Sequence, residues 1–212
     1  MCVIIQKPNK IDINNEVLHM CWNANKDGAG FMFAENNKLY TFRGYIKFDS
    51  FYKSYLKYKD RELVIHFRFA SCGKISNNMC HPFKINEKLA LMHNGHIDIP
   101  FDIGEMSDSL WFVKNVFKKM PKDFLNNKLF QNLTILSIGS SVMVFMDNIG
   151  NITIIGDQEP SIIYNNCWFS NYFWISDNTT IRELHDILRN RRLRQFNLLK
   201  GVYKDDILEE NF

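Results

Sequence analysis

The chain has 212 residues, 46% of them hydrophobic, with 26 basic against 23 acidic side chains for a net charge of +3. That is enough to bury one core and too mild a charge to argue for a nucleic-acid partner. Its five cysteines, Cys2, Cys21, Cys72, Cys80 and Cys167, form an odd set without CxxC spacing, which argues against a zinc ribbon or a disulfide framework and for a reducing, cytoplasmic setting. Only three apolar residues separate Cys2 from Gln6, far short of a signal-peptide core, and no run approaches the length of a membrane span.

Short apolar runs bounded by Asn, Asp and Gly, with a few helical patterns between them, predict a layered mixture of helices and antiparallel strands. A strand over 2–6 is followed by a helix over 13–22 behind Asp12. Strands over 30–35 and 38–42 flank Asn36-Asn37, a pair that tolerates positive φ, so a hairpin is expected. Asp49 is placed to cap a helix through Tyr58, with Tyr52, Tyr55 and Leu56 on one face. A strand over 63–70 points Ile65, Phe67 and Phe69 one way and His66, Arg68 and Ala70 the other.

A further strand over 89–93 ends at Asn94-Gly95. Ser107 opens a helix through Met120, with Leu110, Val113, Phe117 and Met120 at core spacing and Pro121 beyond. Hairpins are expected for 142–146 with 152–155, and for 162–164 with 167–169 through Asn165-Asn166. After about 177 a helical pattern over 179–199 carries Arg182, Arg189, Arg191, Arg192 and Arg194. It reads as a solvated basic face or, alternatively, as a nucleic-acid or partner-binding helix.

Once Met1 is removed, Cys2 carries a thiol and a free α-amine on one residue. With reference pKa values of about 8.5 and about 7.7 to 8.0, the amine can take the thiol proton near neutral pH and return it to a leaving amine. A buried cysteine opening a strand is the plainer alternative. Four other segments hold groups suited to a small amino acid. Asp27-Gly28 precedes a strand as a turn or a ligand loop. Arg68, inside His66-Phe67-Arg68-Phe69-Ala70-Ser71-Cys72-Gly73, is charged at a strand centre and suits a substrate α-carboxylate or a structural acid. His93-Asn94-Gly95 offers an amide NH₂ and a glycine N–H for an oxyanion, or an ordinary turn. Asp108, in Ser107-Asp108-Ser109, suits an α-ammonium or the helix dipole.

Together these segments resemble the glutaminase domain of class II glutamine amidotransferases. Cys2, the Asp27 turn leading to Gly30, the Arg68 motif, His81-Pro82-Phe83, His93-Asn94-Gly95 and Ser107-Asp108-Ser109 occur in the family's order. Cys167-Trp168-Phe169-Ser170-Asn171 looks like its terminal strand hairpin. Two positions depart from the pattern: Ala24 stands where an arginine is often found, and Phe69 where the family has Trp. The Asn25-Lys26-Asp27-Gly28 turn is closer to the stand-alone, amidase-like branch.

The resemblance implies an α+β, four-layer αββα sandwich of two stacked antiparallel sheets, the N-terminal-nucleophile hydrolase fold. It would span 2–176, with 177–212 as a C-terminal helical extension packed on the same domain. It implies Cys2 as nucleophile and its own amine as base, and Asn94 and Gly95 as the oxyanion hole. Arg68 with Ser71 would hold the substrate carboxylate and Asp108 the ammonium. His66, His81, His93, Asp27 and Gly28 would support the site, with no metal or cofactor. The stretch after 176 is too short for a synthase domain, so ammonia from L-glutamine is expected to pass to a separate synthetase. A γ-glutamyl peptide amidohydrolase and a non-catalytic binding protein on the same fold are the alternatives.

Overall fold

Every strand pairing among the described residues, 1–175, of this computed structural model is antiparallel. The expected helix over 179–199 and the division at 177 lie outside the described residues. In chain order the elements are β1 (Val3–Lys7), α1 (Asn15–Ala24), β2 (Ala29–Glu35), β3 (Lys38–Tyr45), α2 (Phe48–Tyr58), β4 (Leu63–Phe67), β5 (Phe83–Asn86), β6 (Leu89–Asn94), α3 (Asp108–Asn115), α4 (Lys128–Ile138), β7 (Val142–Asp147), β8 (Ile152–Gly156), β9 (Ile162–Tyr164) and β10 (Cys167–Phe169). One sheet has the order β3-β2-β4-β1-β10-β9 and the other β5-β6-β7-β8.

Alternation along the strands builds the layers. Ile4, Met32 and Val64 of the large sheet meet Ala90, Met92, Val144 and Met146 of the small one in a shared core. The opposite face of the small sheet, through Leu91, Met143 and Phe145, packs on Phe112, Val113 and Ile138 of α3 and α4. On the outer side of the large sheet, Phe51 of α2 meets Phe67 and Phe31 edge to face, and Trp22 of α1 meets Phe67 the same way. The result is the expected α+β arrangement of two stacked antiparallel sheets with helices outside. Burying each large apolar side chain stabilises it by about 1.5 to 3 kcal/mol, so strands buried on both faces, as β4 and β6 are, have little freedom to slip in register.

The hairpin turns follow the sequence reading, with Asn36, Asn37, Asn165 and Asn166 all at positive φ. Several boundaries do not. β4 stops at Phe67 rather than Ala70, because its partner β1 begins only at Val3, opposite Phe67. Arg68 therefore lies just beyond the strand rather than at its centre, and Phe69 is exposed. α1 is capped by Asn14, whose side chain accepts from the Glu16 N–H, and not by Asp12. α2 starts after Lys47 without a side-chain cap. Asp49 sits in its first turn, and the buried face is Phe48, Phe51 and Tyr55, leaving Leu56 exposed. The helix expected through Met120 ends at Asn115, and a short 3-10 turn over Phe117–Lys119 carries Phe117 into the core. β5 and α4 had no counterpart in the sequence reading.

Candidate active site

Because Val3 faces Phe67, the residue before β1 meets the residues after β4. The Phe69 N–H donates to the Cys2 sulfur at 3.3 Å, and that sulfur lies 3.4 Å from the Phe69 carbonyl. On the other flank of β1, just past β10, the Ser170 Oγ accepts from the Ile4 N–H at 2.9 Å, and Asn171 Nδ2 donates to the Cys2 carbonyl at 2.7 Å. Backbone and thiol of Cys2 are thus both held by residues just past the ends of the neighbouring strands. Neither Ser170 nor Asn171 was assigned a role from sequence. Their place beside β1 follows from strand order, which a single sequence does not display.

The turn after β4 is tied down from two sides. The Arg68 N–H donates to the Gly28 carbonyl at 2.7 Å, the Asp27 N–H donates to the Arg68 carbonyl, and the Asp27 carboxylate accepts from the Ala70 N–H at 2.7 Å. The Arg68 side chain is buried and donates to the carbonyls of Cys72 and Lys74 at 3.2 and 3.3 Å, with no acid as partner among the described residues. Gly73 lies at φ +71° against the Met106–Ser107 backbone, where a β-carbon would force the turn away from the start of α3.

Ser107 caps α3, accepting from the Leu110 N–H, and Asp108 is the first helical residue. The Asp108 carboxylate is buried. It accepts from the N–H groups of Ile97 at 2.8 Å and Ser109 at 2.6 Å, and from the Ser109 hydroxyl at 3.1 Å. The helix N-terminus favours a negative group there.

At the corresponding end of the small sheet, Gly95 has φ +139°, and a β-carbon on it would collide with the Ser141 side chain. Asn94 Nδ2 donates to Ser170 Oγ at 2.9 Å, and its Oδ1, also buried, has no partner among the described residues. Cys2, Arg68, Ser71, Gly95 and Asp108 line one pocket with His81, His93 and Cys72. Asn94, directly before Gly95, is not itself a lining residue of that pocket. The pocket is partly open to solvent, with a cavity volume of about 20 Å³. A larger cleft of about 670 Å³, lined in part by Lys88, Lys122, Asp123 and Asp147, lies at the opposite ends of β6 and β7 and contains none of the expected residues.

Electrostatically the site holds a desolvated thiol beside neutral imidazoles. Burial pushes the Cys2 thiol up; the Phe69 N–H, the chain amine and Arg68 oppose this, and Asp108 adds to it. Burial pushes His66 down to about 3 and His93 down to about 4, and holds His81 well below the usual histidine range. His66 Nε2 lies 3.0 Å from the His93 carbonyl, and His93 Nδ1 lies 2.8 Å from Ser109 Oγ. The remaining ring nitrogens of His66, His81 and His93 are buried without a partner among the described residues. No histidine is hydrogen-bonded to Cys2 among the described residues. The Cys72 sulfur accepts from the Asp108 N–H at 3.2 Å, a contact with no local signature in the sequence.

No protein-family model matches the chain, and no curated protein matches it. Among solved structures it is similar to glutamine phosphoribosylpyrophosphate amidotransferase from B. subtilis complexed with ADP and GMP. The identity is 13%, with 80% of this chain and 41% of that chain covered and a TM-score of 0.48. The chain therefore spans less than half the length of that protein.

Proposed function

We propose that this chain is a cysteine-nucleophile glutaminase of the class II amidotransferase type on an N-terminal-nucleophile hydrolase fold. The observation that carries the reading is the convergence of the Cys2 thiol, the Arg68 guanidinium, the Gly95 backbone and the Asp108 carboxylate on one pocket from four separate segments. A zwitterionic amino acid needs a cation, an anion and a nucleophile at fixed spacing, and the pocket contains all three.

In this mechanism Met1 is removed and the Cys2 α-amine accepts the thiol proton. The sulfur attacks the side-chain amide carbon, and the oxyanion is met by the Gly95 N–H and the Asn94 NH₂. The amine returns its proton to the departing ammonia, and water cleaves the γ-glutamyl thioester. Ser170 has a part in this. Its oxygen already accepts from Ile4, so turning the Asn94 amide over lets the Ser170 hydroxyl donate to Oδ1, satisfies that buried oxygen, and frees Nδ2 for the oxyanion. Arg68, with donors beyond its two carbonyl bonds, and Ser71 hold the α-carboxylate, and Asp108 holds the α-ammonium.

The ammonia goes to a separate synthetase, and a reducing, cytoplasmic setting suits the free thiol. The test is ammonia and glutamate release from L-glutamine beside a γ-glutamyl peptide panel, with and without a co-purified synthetase. Glutamine hydrolysis that rises with the partner supports the reading. Fast, partner-independent cleavage of a γ-glutamyl peptide with glutamine a poor substrate would replace it with an amidohydrolase, and no turnover of either would leave a binding protein.

A further inference from the structure

Three ligand-type side chains converge at the edge of the pocket from segments that are not neighbours in sequence. Cys72 comes from the turn after β4, His96 from the loop after β6 and Asp108 from the start of α3. Cys72 Sγ, His96 Nδ1 and an Asp108 carboxylate oxygen all lie within 4.8 Å of one another. The His96 Nδ1 to Asp108 Oδ2 separation is 3.5 Å. That is too long for a strong hydrogen bond. It is close to the edge, about 3.4 Å, of a tetrahedron whose ligands sit roughly 2.0 to 2.2 Å from a central zinc ion.

The three differ usefully in rigidity. Asp108 is pinned by Ile97 and Ser109, and the Cys72 sulfur is turned toward α3 by the Asp108 N–H. His96 is exposed, with 59% of its side-chain surface open, so its ring can swing to close the remaining distance. One thiol, one imidazole and one carboxylate make a donor set for borderline metals, whereas calcium and magnesium prefer oxygen cages.

We propose that Cys72, His96 and Asp108 form a binding site for a borderline divalent transition metal, represented by Zn²⁺, at the edge of the pocket. The sulfur–metal bond forms as the thiol proton passes to solvent, without any redox change, and three protein ligands leave a fourth position for water. If Asp108 holds the substrate ammonium, as the glutaminase reading has it, the metal takes the same carboxylate and competes with glutamine.

Cobalt(II) titration reports the site without requiring turnover. Wild type and Cys2→Ala are expected to develop the visible bands of tetrahedral cobalt and a near-ultraviolet thiolate-to-metal band, both bleached by Zn²⁺. Cys72→Ser should lose the thiolate band. His96→Ala, a substitution at an exposed position, should weaken binding by at least the roughly 10- to 100-fold that loss of an outer-shell partner costs. Cobalt that stays octahedral in wild type, a thiolate band that survives Cys72→Ser, or one that vanishes in Cys2→Ala would each overturn the site. If the bands behave as expected while Zn²⁺ leaves glutamine hydrolysis untouched, the metal site stands and the assignment of Asp108 to the substrate ammonium falls.

Discussion

The Cys2 sulfur sits between the two backbone polar groups of one residue, Phe69, 3.3 Å from its N–H and 3.4 Å from its carbonyl. A thiol can donate to the carbonyl, whereas a thiolate can only accept from the N–H, so this geometry holds either form in one place. Burial raises the thiol pKa and the positive chain amine lowers it. Alkylation of Cys2 by iodoacetamide should therefore rise with pH, with a midpoint above that of the denatured chain when Met1 is retained. Removing Met1 puts the ammonium on Cys2 itself and should shift the midpoint down, making the processed form faster near neutrality. Rates read by mass spectrometry on both forms check this, and equal rates would remove the α-amine from the mechanism.

Asn94→Ala should lower kcat by roughly 10² to 10³ with a smaller change in KM, the loss expected for one oxyanion donor. Ser170→Ala should reproduce part of that loss, because the hydroxyl orients the amide without touching substrate. A kcat loss in Asn94→Ala with none in Ser170→Ala would mean that the amide is held some other way.

Arg68→Lys keeps the charge and loses the planar fork, so KM for glutamine should rise more than kcat falls. Asp108→Asn should do the same through the ammonium. It also sets an amide against the Ile97 or Ser109 donors, for a stability loss of about 1 to 3 kcal/mol. Thermal melts recorded with the kinetics separate the two effects. Unchanged kinetics with a lowered Tm would return Asp108 to a purely structural role.

His66, His81 and His93 are buried neutral, with pKa values held below the unfolded-state value. Protons then bind the unfolded chain in preference. The contribution to stability is present in full above pH ~6.5 and is lost as pH falls from there toward the folded-state values. At pH 5 this amounts to about 2 kcal/mol each for His66 and His93, and His81 adds in the same direction. Urea unfolding between pH 7 and 5 should show the fall, and His81→Gln should flatten it. A flat profile in wild type would mean that the imidazoles are already charged or solvated.

The turns and the site segments were the legible part of the sequence, because each had a local cause. Paired asparagines at positive φ mark the hairpins, and Gly95 stands where a side chain would strike Ser141. Strand and helix ends were less legible because their causes are tertiary. β4 ends where β1 has no more residues to pair, although the alternation continues to Ala70. α4 escaped notice because Leu129, Leu133 and Leu136 remain exposed, which blurs the contrast between its faces, even though Asn127 and Gly139 mark its ends. Cys72 looked like any spare cysteine. Only the approach of the turn to α3 brings its sulfur to the Asp108 N–H.

The most direct test is whether glutamine turnover passes through a bond to Cys2. Acid quenching of enzyme mixed with L-glutamine, followed by peptide mass mapping, should find a hydroxylamine-sensitive γ-glutamyl adduct on an N-terminal Cys2, and folded Cys2→Ala should release no ammonia. Ammonia release at the wild-type rate from Cys2→Ala, or turnover with the adduct on another residue, would contradict the account.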